Sequence, residues 1–294
     1  MSKAMTLVAD SGSTKTAWLL RRQGHDDINV ESVGINPVRD TADDIEKVVA
    51  GVAATIETYL AVEPDFQAHR QWQRHLSVFF YGAGCIEPFK DSVVEALKKC
   101  FAGGKVAVES DLLGAARALC GHAEGIACIL GTGSNSCLYD GEEIVANVSP
   151  LGWILGDEGS GAVLGRRLVG DILKGQMGDD MKAAFFERFQ LTQSEIIDRV
   201  YRRPMANRFL ASLVPFLVEN RAETCIHELI IDSFSSFFNR NVRIYSREDL
   251  PVNFVGGIAA QFESELREAA ENEGFVVGEI ERSPIAKMVF FHCP

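Results

Sequence analysis

Two short turns rich in glycine and hydroxyl residues carry the strongest chemical signal in the chain: Asp10-Ser11-Gly12-Ser13-Thr14-Lys15 and Gly131-Thr132-Gly133-Ser134-Asn135. Glycine in a tight turn lets backbone amides converge on an anion, and neighbouring hydroxyls add donors. Acting together, two such turns could grip the phosphates of a nucleotide; either alone reads equally well as an ordinary hairpin turn. The chain holds 29 basic and 41 acidic residues, a net charge of −12. No basic face for nucleic acid or an anionic membrane is therefore expected, and a bound polyanion must be met locally by amides, Lys15 and a divalent cation. Asp10, ending the first apolar run, is placed to hold Mg²⁺, which takes one or two carboxylates plus water and phosphate oxygens. No G-x-x-x-x-G-K-S/T sequence occurs, which argues against a P-loop fold. Gly256-Gly257 ends a strand-like run and opens a helical one. That pair leaves room for a flat adenine and ribose against bare backbone, or serves only as a close strand-to-helix contact.

The elements that must position these turns follow from periodicity. Residues 5–10, 14–21 and 28–33 read as three consecutive antiparallel strands. After Thr41 as N-cap, Ile45, Val48, Val49, Val52, Ile56 and Tyr59 recur at helical spacing. A strand at 76–81, a helix at 88–101, a strand at 106–109 and a helix at 112–120 complete a β-β-β-α-β-α-β-α order. The second half repeats it, with strands at 126–131, 134–139 and 143–148, then helices near 162–173, 180–189, 193–201, 207–218 and 223–242. A strand at 252–255, a helix at 258–273, a strand at 275–278 and a last helix at 284–291 follow. Each half places its glycine turn between its first and second strands, which predicts an α/β chain made by duplication of one three-layer unit.

Composition sets the class. With 294 residues, 47% hydrophobic and 24% charged, the chain can bury one large core or two modest ones. No window approaches the roughly 18 uncharged apolar residues of a membrane span. No signal-peptide apolar region opens the chain, so a cytoplasmic protein is expected. Seven scattered cysteines without a C-x-x-C pair or metal spacing read as reduced core thiols.

The strings LVADSGSTKTAW, ESDLLGAARAL, ILGTGSNS, LGWILGDEGSGAVLG and VNFVGGIA, closed by SPIAKMVFFH, stand in a characteristic order. Over nearly its whole length the chain resembles the N-acetylglucosamine kinases and their relatives, within the sugar kinase, heat-shock chaperone and actin superfamily. The resemblance implies two RNase H-like, actin-like ATPase domains around an interdomain cleft. The first would span 1–112, with the last helix at 283–294 packing back on it. The second would span 113–282, with a helical insert at about 160–245. It implies ATP and Mg²⁺ held by both domains and phosphorylation of an amino sugar, N-acetylglucosamine giving its 6-phosphate. A homodimer is common in such proteins.

Residue by residue, the resemblance makes Asp111 the base that takes the sugar hydroxyl proton. A helix N-terminus would keep that carboxylate ionised, although Asp111 or Ser110 could serve only as an N-cap. It places Asn36 and Asp157 on the sugar; without it, Asn36 before Pro37 is a turn residue. Gly152 and Trp153 fall where the family makes a backbone and an aromatic contact, but the register of Trp153 differs and a core tryptophan is an equal reading. Nucleotide contacts carry over to Ser13, Thr14, Lys15, Thr132, Gly133 and Ser134, with Gly256 and Gly257 at the adenine. Two rivals share features of the chain. One is an activator ATPase of the 2-hydroxyacyl-CoA dehydratase type, whose iron-sulfur cluster would call on Cys120 and Cys128 near the expected junction. The other is a sugar-binding regulator without turnover, related examples of which carry a helix-turn-helix segment that has no room at this N-terminus.

Overall fold

The first strand is buried on both faces, and the rest of its sheet follows from that. In the computed structural model, which describes residues 5–12, 14–62 and 72–293, β1 (Met5–Ser11) pairs antiparallel with β2 (Lys15–Arg22) and parallel with β4 (Leu76–Gly82). With β3 (Ile28–Val33) and β5 (Lys105–Ser110) the sheet order is β3-β2-β1-β4-β5. Successive side chains of a strand point to opposite faces. Leu7, Ala9, Trp18 and Leu20 therefore enter one core with Phe80 and Phe101. Val8 and Leu19 enter another with Tyr81, Met288 and Val289. The first core is covered by α1 (Ala42–Ala61), whose N-cap Thr41 accepts a hydrogen bond from the Asp44 amide, and by α2 (Asp91–Cys100). The second is covered by α3 (Asp111–Cys120) and the final helix α13 (Ile285–His292).

A second five-stranded sheet repeats the pattern. β6 (Gly125–Leu130), β7 (Ser134–Tyr139) and β8 (Ile144–Val148) form an antiparallel meander, and β9 (Val252–Val255) and β10 (Val277–Glu281) add in parallel, in the order β10-β9-β6-β7-β8. The two sheets have the same order of directions, the mark of a duplicated unit. The helices of this half are α4 (Gly152–Leu155), α5 (Gly161–Leu173), α6 (Asp179–Phe189), α7 (Gln193–Tyr201), α8 (Ala206–Ala211), α9 (Val214–Glu219), α10 (Thr224–Phe237), α11 (Gly257–Gln261) and α12 (Glu263–Asn272). A π-helical turn, Phe238–Val242, prolongs α10.

The chain divides into two compact units, 1–121 with 284–294, and 122–283. The division falls after α3 rather than at 112, because α3 packs on β1, β4, β5 and α13. Three elements differ from their periodicity. The helix expected at 207–218 is broken into α8 and α9, because Pro215 in the first turn of α9 cannot donate back to the preceding turn. The helix expected at 258–273 breaks at Phe262, which leaves helical geometry (φ −116°, ψ 36°) while its ring is fully buried. The short α4 was not expected at all; it is entered through Leu151 in the left-handed region.

Two glycines of α5 test how closely this half is packed. A Cβ on Gly165 would lie 2.0 Å from the Leu210 carbonyl oxygen of α8, whereas one on Gly170 meets nothing within 4 Å. Gly165→Ala should lower stability by about 1–3 kcal/mol through overpacking. Gly170→Ala should raise it by about 0.5–1 kcal/mol through helix propensity. Denaturant midpoints of the two variants should move in opposite directions.

Candidate functional site

Parallel register brings the acidic residues of the first unit together. Ser11 of β1 is paired with Gly82 of β4, and Gly82 with Ser110 of β5, so three strands end level. The carboxyl ends of parallel strands are where such sheets bind ligands. Asp10 lies on the same face of β1 as Val8, the face that α3 covers, and Asp111 opens α3 directly after β5. Ser110 is the N-cap: its Oγ accepts from the Leu113 amide at 3.2 Å. Asp111 is thereby relieved of capping, and its Oδ1 accepts from the Leu112 amide at 2.9 Å.

Electrostatics marks this pair. Burial and then the neighbouring Asp111 raise Asp10 to about 7, with Lys15 pulling the other way. Burial raises Asp111 to about 6, opposed by the amides of its own helix. The helix N-terminus therefore does not hold Asp111 at an ordinary carboxylate value; desolvation wins, and Asp111 is still mostly ionised at neutral pH. Among the described residues the Asp10 carboxylate accepts no hydrogen bond, and no group of three acid, histidine or cysteine side chains is gathered to hold a metal. A single hard carboxylate next to a second one fits Mg²⁺, which completes its shell with water and phosphate oxygens.

The first turn is closed by the Gly12 amide donating to the Lys15 carbonyl at 3.0 Å. Ser13 lies outside the described residues, and Thr14 stands exposed beside it. Lys15 reaches across to Glu31, 2.8 Å away, in an exposed pair of small energetic weight. Ser11, which sequence reasoning did not single out, anchors the next loop: its Oγ accepts from the Ile35 amide at 2.9 Å and contacts Thr16 Oγ1 at 2.7 Å. Asn36 follows directly. Its Oδ1 accepts from the Val38 amide at 3.0 Å, forming an Asx turn. The same oxygen packs so closely on Gly84 that a Cβ there would lie 2.4 Å away. Asn36 is thus a turn residue whose Nδ2 makes no hydrogen bond among the described residues, and it rests on the loop following β4. In that loop Cys85 is buried, its thiol pushed up to about 12 by desolvation, Asp111 and Glu109, so it is no nucleophile.

The second turn is built the same way in its own unit. Gly131 donates to the Gly133 carbonyl at 2.9 Å, while the first amides of α5, those of Gly161 and Ala162, donate to the carbonyls of Gly131 and Thr132. The amides of Thr132 and Gly133 donate to nothing within the described residues, the condition for an anion cradle. Asp157, at φ 51°, sits on this turn: its Oδ1 accepts from the Ser134 amide at 3.3 Å. A Cβ on Gly133 would lie 3.1 Å from its Oδ2. Burial, with a contribution from Glu158, raises Asp157 to about 6. The structure so joins Asp157, expected at the sugar, to Gly133 and Ser134, expected at the nucleotide.

The loop that carries Asp157 is strained. Leu151, Gly152, Asp157 and Gly159 all have positive φ, and a Cβ on Gly156 would lie 2.1 Å from the Pro150 carbonyl oxygen. Such strain clusters at functional loops. Trp153 is half-buried against the core of this unit, the core-tryptophan arrangement. Gly256, at φ 128°, lies against Leu130 at the base of the second turn, where a Cβ would meet the Leu130 carbonyl oxygen at 2.2 Å; Gly257 faces open space. Cys128 is fully buried in β6, a poor position for a ligand of an exposed cluster. No helix among the described residues is long and apolar enough to cross a membrane.

Neither a family model nor a curated protein matches the sequence. Solved structures do. A candidate N-acetylglucosamine kinase from Porphyromonas gingivalis is 42% identical, superimposes with a TM-score of 0.89, and is matched over 98% of both chains. A candidate N-acetylglucosamine kinase from Chromobacterium violaceum is 18% identical over 99% of both chains, with a TM-score of 0.73. A non-polymerising MamK variant bound to AMPPNP shares the fold at 12% identity and a TM-score of 0.52, over 98% of this chain and 97% of its own.

The raised value of Asp10 has a direct consequence for stability. A carboxyl whose folded pKa exceeds its ordinary 3.8 favours the folded state fully below that value, and this contribution is lost as pH rises through about 7. At about 1.4 kcal/mol per pKa unit, Asp10 costs the ligand-free chain on the order of 4 kcal/mol above pH 7. Asp10→Asn should stabilise the chain at pH 8 and leave it nearly unchanged at pH 3.5; thermal melts at both values check this.

Proposed function

This chain belongs to the N-acetylglucosamine kinase-like family of the sugar kinase, heat-shock chaperone and actin superfamily, and from that premise we propose that it transfers the γ-phosphoryl group of ATP to a hydroxyl of an amino sugar, N-acetylglucosamine giving N-acetylglucosamine 6-phosphate. The observation that carries the reading is the Asp111 carboxylate at the head of α3, freed from capping by Ser110 and set beside Asp10 at the level ends of three parallel strands.

In this mechanism Asp111 accepts the proton of the sugar hydroxyl as its oxygen attacks the γ-phosphorus. The new O–P bond forms while the bond to the β-phosphate oxygen breaks, and ADP leaves. With a pKa of about 6 the carboxylate is ionised at neutral pH yet close enough to it to be an effective base. The free amides of Thr132 and Gly133, with Ser134 beside them, would offer donors to phosphate oxygens; Lys15 would offer a charge and can leave its exposed partner Glu31 at little cost. Asp10 would hold Mg²⁺, which when bound offsets the negative charge of the phosphates. Asn36 would offer its unused Nδ2, and Gly152 and Asp157 their loop, to sugar hydroxyls. Gly256, whose lack of a side chain the fold requires, and open Gly257 would leave bare backbone for adenine. Positioning and charge neutralisation, rather than covalent chemistry, supply the rate.

ADP release measured with N-acetylglucosamine, glucosamine, N-acetylmannosamine and glucose should be fastest with N-acetylglucosamine. Asp111→Asn should lower kcat by about 10²- to 10⁴-fold while leaving nucleotide affinity nearly intact; comparable turnover in the variant would remove Asp111 from the mechanism. Because the base must be ionised, kcat/KM of the unsubstituted enzyme should fall as pH drops through about 6.

A further inference from the structure

The second unit contains a cavity of about 260 Å³ that none of the residues above explains, opening among α4, α5 and the end of α10. Two helix faces form its walls. Val163, Arg166 and Arg167 stand at i, i+3 and i+4 of α5, and Ser233, Ser236 and Arg240 at i, i+3 and i+7 of α10 and its π-helical continuation. Such spacing puts each set on one face, and the two helices pack together. The small serines leave the space open. π-helical turns are rare and frequently occur at functional sites; here one carries Arg240.

Charge in this cavity runs against that of the molecule. Three guanidinium groups line it beside one carboxylate, Glu158, whose Oε1 lies 2.5 Å from Arg240 Nε. Arg167 reaches Asp232 at 3.3 Å. Arg166 makes no ion pair among the described residues and donates to the Ile154 carbonyl at 3.2 Å. In a chain of net charge −12 this is a local excess of positive charge. A second observation is independent of it. Ser233 lines the cavity and is only 2% exposed, yet its hydroxyl has no hydrogen-bond partner. Helical serines ordinarily return that proton to a carbonyl one turn back, and leaving a buried hydroxyl unpaired is costly.

We propose that this cavity binds a phosphomonoester dianion. A phosphoryl group brings three strong acceptor oxygens and a charge approaching −2, matched to the planar forks of Arg166 and Arg240 and to the unpaired Ser233 hydroxyl. Ile154 and Leu155 give the cavity an apolar wall, suited to an organic substituent on the phosphoryl group. Asp157 turns to the second glycine turn while Glu158, next in the chain, turns to Arg240, so this site is separate from the residues assigned to phosphoryl transfer and does not depend on that assignment.

Calorimetric titration of the full chain in low-salt, phosphate-free buffer tests it, with inorganic phosphate, phenyl phosphate and acetate as probes. Saturable binding of phosphate or phenyl phosphate, with acetate much weaker, is the expected result; the tighter of the two tells free phosphate from an organic monoester. Arg166→Gln should weaken that binding about tenfold, as loss of a charge-assisted contact does. Ser233→Ala should weaken it about threefold without lowering the melting temperature, since it deletes an unpaired hydroxyl. Asp111→Asn should bind as the unsubstituted chain does. No saturable binding, binding unchanged in both cavity variants, or acetate bound as tightly as phosphate would each overturn the proposal.

Discussion

Two carboxylates held at the level ends of parallel strands, both desolvated by the fold, are the constraint on which the first unit's site depends. β1, β4 and β5 run parallel and end in register, so residues far apart in the chain, Asp10 and Asp111, meet at the carboxyl ends of the strands. Each is held above the ordinary carboxylate range, Asp10 the more so because it feels Asp111 as well as burial. Such an arrangement is unfavourable by itself and becomes favourable when a cation or a proton arrives. Proton acceptance and cation binding are the two tasks that the proposed phosphoryl transfer would set for these acids.

An acidic chain can meet a polyanion through backbone rather than through side chains. In the second unit the first amides of α5 satisfy the carbonyls of Gly131 and Thr132, and the amides of Thr132 and Gly133 have no partner among the described residues. The donor is fixed by the fold, carries no net charge and needs no lysine. Asp157 rests on that turn through Ser134, so an anion arriving there meets a carboxylate whose proton affinity is already raised. Positive charge is gathered elsewhere, in the α5 and α10 cavity, where guanidinium groups and an unpaired hydroxyl converge.

Glycine marks the places where these parts touch. Gly84 admits Asn36, Gly133 admits Asp157, and Gly256 admits the Leu130 carbonyl, each at a separation that a Cβ would close. Similarity to the Porphyromonas gingivalis protein extends over nearly the whole of both chains.

Features that depend on near neighbours were legible in the residues: the strands and helices, through periods of two and 3.6 residues; the cap at Thr41; the two glycine turns; and the duplicated order, since each half carries the same succession of local signals. The sequence also contained the two breaks it did not announce, at Pro215 and at Phe262, where a missing amide and a buried ring override helical periodicity. Only the tertiary structure decided which of two adjacent residues, Ser110 or Asp111, caps α3, that Asp111 is desolvated rather than kept at an ordinary value by its helix, that Ser11 ties the Asn36 loop to the strand, and that Asp157 belongs to the second turn. Burial and register cause each of these, and both are properties of residues brought together from distant parts of the chain, so no local pattern could express them.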